Sequence, residues 1–202
     1  YPRTTINLYS DNRLIRSFRV KKYSTLGDLP ESEKIGYTFN YWAYDDGTPL
    51  DPEKQLEQSV VNLYAQYTIN SYLVTYHVQV GTTADGNATY SQSIPYCTPQ
   101  TFTYDSYVDL PYGTDDGTRD GNLLDVFSGR TGFYFSGWTL SSEKTVGEVS
   151  ELYKPGSKTL RMPAGNIDLY SHWDKNKYSI VMHTGIEYQT TDGEAINADG
   201  TN

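Results

Sequence analysis

The sequence predicts a β-rich protein of the α+β class, built from tandem copies of one small repeat. Two observations support this prediction. Residues 5–9 (TINLY) and 73–78 (LVTYHV) alternate apolar and polar side chains with the period of two that a half-buried strand requires. The stretch GYTFNYW at 36–42 returns as GFYFSGW at 132–138, and internal self-similarity is the signature of a repeat architecture.

Three shared sequence words keep the same order in both copies. Asp28-Leu29-Pro30 returns at 109–111, before the glycine-aromatic word. NLYAQY at 62–67 returns as DLYSHW at 168–173, after that word. The spacing between the copies of each word grows along the chain, which indicates the same order of elements with insertions in the second copy.

Each copy is predicted to contain a strand, a turn, a strand, a short helical segment, a strand, a loop and a closing strand. In the first copy the opening hairpin turns at Asp11-Asn12, a pair that tolerates left-handed backbone. Thr25 and Asp28 are expected to cap one turn of helix that Pro30 ends. In the second copy the hairpin turn is longer, through residues 81–86. The helical segment makes the predicted class α+β.

The repeats divide the chain into three segments. Residues 1–70 are predicted to form the first repeat domain, and residues 71–175 the second. The growing spacing of the shared words places insertions in the second domain at 112–131 and 143–160. Residues 176–202 are expected to be the start of a third repeat or a C-terminal extension, because they open with the alternation of an opening strand.

The paired Phe and Trp residues of the glycine-aromatic words are predicted to be core residues, because a unit of roughly 65 residues needs bulky anchors. Phe39 and Phe135 alternate inward. Trp42 and Trp138 lie three positions further on and point to the opposite face unless a bulge shifts the phase. Gly137 permits such a bulge. An exposed aromatic platform is the alternative. The side chains expected to face these aromatics from the closing strands are Leu63, Tyr67, Leu169 and Trp173.

The composition argues against several function classes. The 202 residues carry a net charge of -9, and no cluster of Lys or Arg exceeds Lys21-Lys22, so the electrostatic field repels nucleic acid and anionic lipid. Apolar runs are too short for this segment to insert into a membrane. The chain begins without Met or a signal segment, and we expect it to be a monomeric part of a longer chain.

Catalytic and metal-binding signatures are missing from the sequence, and we predict neither an enzyme nor a bound cofactor. There is no nucleophile elbow and no phosphate-binding loop. Cys97 is the single cysteine and is expected to behave as a small hydrophobe. His77, His172 and His183 lack metal-ligand spacing and are expected to be ordinary strand residues. A pair of carboxylates close in space stays open, because such a pair needs no fixed sequence spacing.

The insertion at 112–131 is the predicted place of any specific binding. Its acidic half alternates oxygen ligands with glycines, which suits Ca²⁺, but the EF-hand spacing is missing and Arg119 adds a positive charge. A plain Asp-Gly turn is the favoured interpretation, with a weakly held calcium ion as the alternative. The apolar half is expected to dock on the second copy or on a partner. The predicted binding residues are Tyr112, Asp115, Asp116, Asp120 and Phe127.

The shared words resemble the Listeria-Bacteroides repeat, the family of the internalin B repeat. The resemblance is carried by GYTFNYW and NLYAQY in the first copy, and by GFYFSGW, Met162-Pro163-Ala164 and NIDLYSHW in the second. It implies a compact fold similar to the β-grasp of ubiquitin, so the predicted fold is a tandem of small β-grasp-like repeat domains. It also implies a large secreted or wall-anchored bacterial surface protein without a known catalytic set. The implied location is extracellular, at the cell surface or cell wall.

Two functions are consistent with these observations. The first is a non-enzymatic stalk, spacer or adhesion module of a bacterial surface protein, with a host protein, a cell-surface protein or a glycan as its partner. The second is a carbohydrate- or protein-binding module that uses the 112–131 insertion and surface tyrosines such as Tyr104, Tyr107 and Tyr112 as stacking groups. They differ in whether the additions of the second copy carry an aromatic binding face.

Overall fold

The computed structural model describes residues 1–85, 87–92, 97–112, 132–140, 151–180, 188–189 and 195–196. Within these residues the chain forms eleven strands and no helix. The first repeat consists of β1 (Arg3–Ser10), β2 (Arg13–Lys21), β3 (Tyr37–Ala43) and β4 (Val60–Ile69). The second repeat consists of β5 (Ser71–Thr82), β6 (Ala88–Ser91), β7 (Gln100–Thr103), β8 (Phe133–Thr139) and β9 (Ile167–Lys175). Two short strands follow, β10 (Tyr188–Gln189) and β11 (Ala195–Ile196).

The first repeat is a four-stranded mixed sheet with the strand order β2-β1-β4-β3. β1 and β4 run parallel in its centre, with Leu8 opposite Leu63, and the two outer strands pair antiparallel with them. The alternation in β1 turns Ile6 and Leu8 to the inner face, where both are buried. They pack with Trp42, Val61 and Leu63 as one core, so the predicted opening and closing strands are confirmed.

The second repeat forms a sheet with the order β6-β5-β9-β8, in which β5 and β9 are again the parallel central pair. The long β5 pairs with β7 through residues 71–74 and with β6 through residues 78–82. The return strand of the opening hairpin is therefore broken into two pieces. Cys97 lies between these pieces and is buried in the core of the second repeat.

Each glycine-aromatic word contains a β-bulge. The register of β3 against β4 shifts between Phe39 and Tyr41, and the register of β8 against β9 shifts between Phe135 and Gly137. The extra residue returns the following Trp to the inner face. Trp42 and Trp138 are 5% and 0% exposed, so their predicted core position is confirmed and the exposed-platform alternative is wrong.

The predicted facing residues are also in place, although not all of them are fully buried. Phe39 and Phe135 are half-buried and pack against the two cores. Tyr67 is half-buried too, and its hydroxyl is within hydrogen-bond distance of Ser10 Oγ (2.8 Å) and Ser32 Oγ (2.7 Å). The remaining closing-strand residues, Leu63, Leu169 and Trp173, have an exposed fraction of 0%.

A tryptophan–proline hydrogen bond joins two of the shared words in both repeats. The indole Nε1 of Trp42 donates to the carbonyl of Pro30 at 3.0 Å, and that of Trp138 donates to the carbonyl of Pro111 at 2.9 Å. A buried indole N–H needs such a partner. The Asp-Leu-Pro word supplies it, which gives a physical reason for the recurrence of both words in the same order.

The predicted helical turn in the first repeat is wrong, and the described residues therefore support a β-rich class without its α+β or β-grasp-like part. Gly27 has a φ of +62°, which interrupts a right-handed helix. The N–H of Tyr23 donates to the Leu56 carbonyl (2.8 Å), and the N–H of Gly27 donates to the Pro52 carbonyl (3.1 Å). The backbone donors of this segment are bonded to the loop before β4, and the same donors are then not free to form the hydrogen bonds of a helix.

Most of both predicted insertions lies outside the described residues. Of the insertions at 112–131 and 143–160, the structure describes Tyr112 and residues 151–160. Beyond β9, β10 and β11 pair antiparallel with each other. The division of the chain at residues 70 and 175, and the assignment of 176–202, stay predictions.

Candidate functional site

The predicted binding insertion is anchored at its first residue. Tyr112 is half-buried, and its phenol lies against Gly156 so closely that any Cβ at that position would overlap the ring. Gly156 has a φ of +66° and donates its N–H to the carbonyl of Leu110 at 2.7 Å. The other predicted binding residues lie outside the described residues and stay predictions: Asp115, Asp116, Asp120 and Phe127.

The other two tyrosines considered as stacking groups have different neighbours. Tyr107 is 44% exposed, and the guanidinium carbon of Arg161 lies 4.3 Å from its ring centroid. Arg161 also donates to the Tyr107 hydroxyl (3.1 Å) and to the carbonyl of Asp105 (2.6 Å). Tyr104, in contrast, packs against Gly36 of the first repeat. The three tyrosines therefore make three separate contacts.

A single residue, Asn70, connects the two sheets, and its backbone bonds to both. Its N–H donates to the carbonyl of Gly36 in the first repeat at 2.9 Å. Its carbonyl accepts the N–H of Tyr104 in the second repeat at 2.8 Å. β4 ends at the residue before Asn70 and β5 begins at the residue after it. We call the contact formed by Gly36, Tyr37, Asn70 and Tyr104 the joint.

Aromatic packing covers the joint. A side chain at Gly36 would collide with the Tyr104 ring, and the φ of +77° at Gly36 also favours glycine. Tyr104 meets Tyr37 edge-on at 5.9 Å between ring centroids. The ammonium of Lys34 lies 4.1 Å from the Tyr37 centroid and forms an ion pair with Asp11 at 2.7 Å. The hydrogen bond with Asp11 is the largest cause of the raised pKa of Lys34.

Two hydrogen bonds of Asn70 have counterparts at the end of the second repeat. Asn176 donates its N–H to the carbonyl of Gly132 at 2.8 Å, as Asn70 does to Gly36. Its side-chain amide donates to the Tyr178 hydroxyl at 3.2 Å, and the amide of Asn70 donates to the Tyr72 hydroxyl at 3.4 Å. This feature was not predicted, although the recurring Asn-x-Tyr spacing at 70–72 and 176–178 is a sequence signal for it.

A stacked ring pair occupies the outer side of the parallel strands in each repeat. Tyr9 and Tyr64 stack at 5.0 Å, and His77 and Tyr170 stack at 4.5 Å between centroids. Nε2 of His77 is 2.7 Å from the Asp168 carboxylate. In the described part of the chain, no group of three or more His, Cys, Asp or Glu side chains is arranged to hold a metal ion.

A cleft of about 360 Å³ opens beside the Tyr9–Tyr64 stack. Tyr44 forms part of its wall and is half-buried. Burial, followed by the carboxylates of Asp51 and Asp46, raises the pKa of Tyr44, so its phenol keeps its proton at neutral pH. The residues lining the cleft are Asn12, Tyr44, Asp45, Gly47, Tyr64 and Gln66. We call this group the polar cleft.

The single cysteine is an inert core residue. Cys97 has an exposed fraction of 0% and lies in the core of the second repeat. Burial is the main cause that raises the pKa of its thiol to about 12, and the Asp109 carboxylate adds to the effect. Because the thiolate is the nucleophilic form, the geometry confirms the expectation of a small buried hydrophobe.

Comparison with known families identifies the first repeat. Residues 9–66 match the sequence profile of the Listeria-Bacteroides repeat domain. These residues are a Listeria-Bacteroides repeat. The match begins in β1 and ends in β4, so this repeat contains the Trp42–Pro30 hydrogen bond and the bulge of β3. The family resemblance carried by the shared words is confirmed.

Proteins of two bacteria are similar to this chain in sequence. Internalin H of Listeria monocytogenes is 32% identical over 171 residues, which cover 83% of this chain and 24% of the relative. A protein of Evansella cellulosilytica named as a Gly-rich membrane protein is 28% identical over 179 residues, which cover 84% of this chain and 18% of the relative. A second protein of Evansella cellulosilytica, named as a membrane protein, is 30% identical over 155 residues, which cover 76% of this chain and 19% of the relative.

The chain spans about a quarter or less of the length of these relatives. Within the residues that the structure describes, no helix is both long and apolar enough to cross a bilayer.

Proposed function

We propose that this chain is a non-enzymatic spacer segment of a larger bacterial surface or secreted protein, in which Listeria-Bacteroides repeats follow one another end to end. The family match, and relatives named as an internalin and as membrane proteins, support this proposal. The proposed location is extracellular, at the cell surface or cell wall. We assign residues 1–70 and 71–175 as successive modules, and 176 onward as the start of the next.

The joint is the observation that carries the proposal. A linker of one residue, bonded through its backbone to both sheets and covered by two tyrosine rings, leaves little freedom for a hinge. Flexible linkers between domains are longer and make few contacts. The recurrence of the same bonds at Asn176 and Gly132 supports a serial architecture, since each repeat ends in the geometry that begins a joint.

Residual dipolar couplings of the partially aligned chain test this proposal. A rigid joint requires that the amide couplings of β1–β4 and of β5–β9 fit one common alignment tensor. The variant Tyr104→Ala removes the ring over Gly36 and is expected to lower the alignment of one repeat relative to the other. Tyr107→Ala, which removes an exposed tyrosine outside the joint, is the matched control and should change nothing. Two clearly different tensors in the parent would contradict a rigid spacer.

Adhesion through the 112–131 insertion is a second proposed function. The observation that favours it is Tyr112, which fixes the start of the insertion on Gly156 and holds its root at one place on the second repeat. A host protein, a cell-surface protein or a glycan is the proposed partner. The exchange of this insertion for the short connection of the first repeat, described in the Discussion, tests it.

A further inference from the structure

We infer that the polar cleft of the first repeat binds one pyranose ring of a neutral glycan. The inference concerns residues of β4 and of two turns at one end of the first sheet, and it does not depend on the spacer function. The cleft volume of about 360 Å³ is of the size that small-molecule sites have. It is open to solvent on one side, as recognition of a sugar within a longer chain requires.

The lining of the polar cleft matches the two faces of a sugar ring. Tyr44 and Tyr64 present aromatic surface, on which the C–H face of a pyranose can pack. Asn12 and Gln66 each bring an amide that both donates and accepts, and Asp45 brings a carboxylate that accepts. Vicinal hydroxyl groups, each a donor and an acceptor, are the complementary chemistry.

The charge of the polar cleft selects a neutral sugar. Its lining contains one carboxylate, Asp45, and none of its six residues is Lys or Arg. The chain as a whole carries a net charge of -9. A uronic or sialic acid would place a second negative charge beside Asp45, where the lining itself offers no cation. The carboxylates of Asp51 and Asp46 also act on Tyr44, so the electrostatics disfavour acidic sugars.

Both rims of the polar cleft are held in place before any ligand arrives. Asn12 sits in the hairpin turn with a φ of +61°, and the neighbouring Asp11 is fixed by its 2.7 Å ion pair with Lys34. On the other rim, the N–H of Tyr44 donates to the carbonyl of Thr48 at 2.9 Å. The stack on Tyr9 fixes the Tyr64 ring between the rims. Such preorganisation lowers the entropy cost of binding.

Two of these side chains, Tyr44 and Gln66, have no like counterpart in the second repeat. Tyr44 lies two residues after the end of the glycine-aromatic word, and the corresponding residue of the second repeat is Leu140, which is 45% exposed. At the position of Gln66 in the closing word stands His172, which is buried. Tyr44 also packs against the core of the first repeat, whereas Gln66 is not part of that core. The second repeat builds the same central strands without an amide at the position of Gln66, so the fold does not depend on that amide.

A titration of the full chain, followed through its backbone amide signals in nuclear magnetic resonance spectra, tests the inference. The probes are methyl β-glucopyranoside, methyl β-galactopyranoside and N-acetylglucosamine, with sodium glucuronate as the acidic comparison. We expect the amides of Asn12, Asp45, Gly47 and Gln66 to shift together along one saturating curve with at least one neutral sugar. Binding of a single ring is expected to be weak, with a Kd of about 1 mM or above.

Two variants separate this site from a general surface effect. Asn12→Gly removes one amide and keeps the left-handed turn, and Gln66→Ala removes the other amide. Each is expected to weaken binding about fivefold to tenfold while thermal unfolding is unchanged. Gln92→Ala removes an amide beside the His77–Tyr170 stack of the second repeat and should leave binding intact.

Three results would overturn the inference. The first is the absence of shifts in the polar cleft with all three neutral sugars. The second is unchanged affinity in both Asn12→Gly and Gln66→Ala. The third is tighter binding of glucuronate than of every neutral sugar, which would contradict the assigned charge preference.

Discussion

Replacement of Trp138 is the most direct test of how the second repeat is held together. Its indole is 0% exposed and packs against Tyr76 and Phe135, both at 5.3 Å between ring centroids. Its Nε1 donates to the carbonyl of Pro111 at 2.9 Å. Trp138→Ala therefore leaves a cavity beside an unpaired carbonyl, and we expect it to lower the free energy of unfolding by about 3–5 kcal/mol.

A second variant separates packing from hydrogen bonding. Trp138→Phe keeps most of the aromatic surface and removes the donor to Pro111, so we expect a loss of about 1–2 kcal/mol. Trp42→Ala is the matched variant in the first repeat, where the same bond joins Trp42 to Pro30 at 3.0 Å.

Urea unfolding followed by tryptophan fluorescence and circular dichroism measures these losses. Trp173 is buried in the second repeat and Trp42 in the first, so the two fluorophores that remain in Trp138→Ala report on different sheets. If the repeats unfold as separate units, the transition reported by Trp173 moves to lower urea and that of Trp42 does not. A loss below about 1 kcal/mol in Trp138→Ala would refute the assignment of the indole to the core.

Three further predictions follow from the second repeat. Gly137→Ala should lower the free energy of unfolding of this repeat by more than about 1 kcal/mol, because the added Cβ would lie 2.5 Å from the Tyr153 carbonyl oxygen. Gly137 also has a φ of +151°, which an alanine rarely adopts. An unchanged midpoint in urea unfolding would contradict this prediction. Burial raises the pKa of the Cys97 thiol from 9.0 to about 12, so as the pH rises the unfolded chain loses the thiol proton before the folded chain does. The free energy of unfolding should therefore be unaffected by this thiol below about pH 9 and should fall between about pH 9 and pH 12. Cys97→Ala should make this fall smaller, which the unfolding midpoint measured against pH checks. Replacement of residues 112–131 by residues 31–35 should preserve folding and abolish binding to surfaces that the parent recognises, and retained binding would remove the insertion from the function.

The core of both repeats was predictable because local spacing over-determines it. Phe39 and Trp42 are three residues apart on a strand whose faces alternate every two residues, so both can face inward only across a bulge. Phe135 and Trp138 have the same spacing in the second repeat, so the same inward orientation and the same bulge are predicted there. The parallel pairing of the first and last strands of each repeat does not follow from such spacing, and it emerged from the structure.

The predicted helix at Thr25 failed for a non-local reason. Capping residues and a following proline describe how a helix would begin and end, but they do not show which other backbone groups compete for its donors. The loop that contains Pro52 and Leu56 approaches this segment in the folded chain and takes those donors. A sequence window around Thr25 contains no information about that approach.

The joint and the polar cleft were missed because they combine residues that are far apart in sequence. Tyr104 covers Gly36 across the boundary between the repeats, and Asn12, Tyr44 and Gln66 come from a hairpin turn, a loop and a closing strand. No periodicity links such positions. The glycine at position 36 is visible in the sequence, but its reason, an aromatic ring from the next repeat, is not.

The parallel central strands have a mechanical consequence when the two ends of a repeat are pulled apart. The pulling force enters the first repeat at the start of β1 and leaves it at the end of β4, and these strands lie side by side and parallel from Thr5 opposite Val60 to Tyr9 opposite Tyr64. Tension therefore slides one strand along the other, and the hydrogen bonds between them share the load instead of opening one after another. β5 and β9 repeat this arrangement. Single-molecule pulling between the termini should show high, cooperative rupture forces, and rupture one bond pair at a time would contradict shear loading.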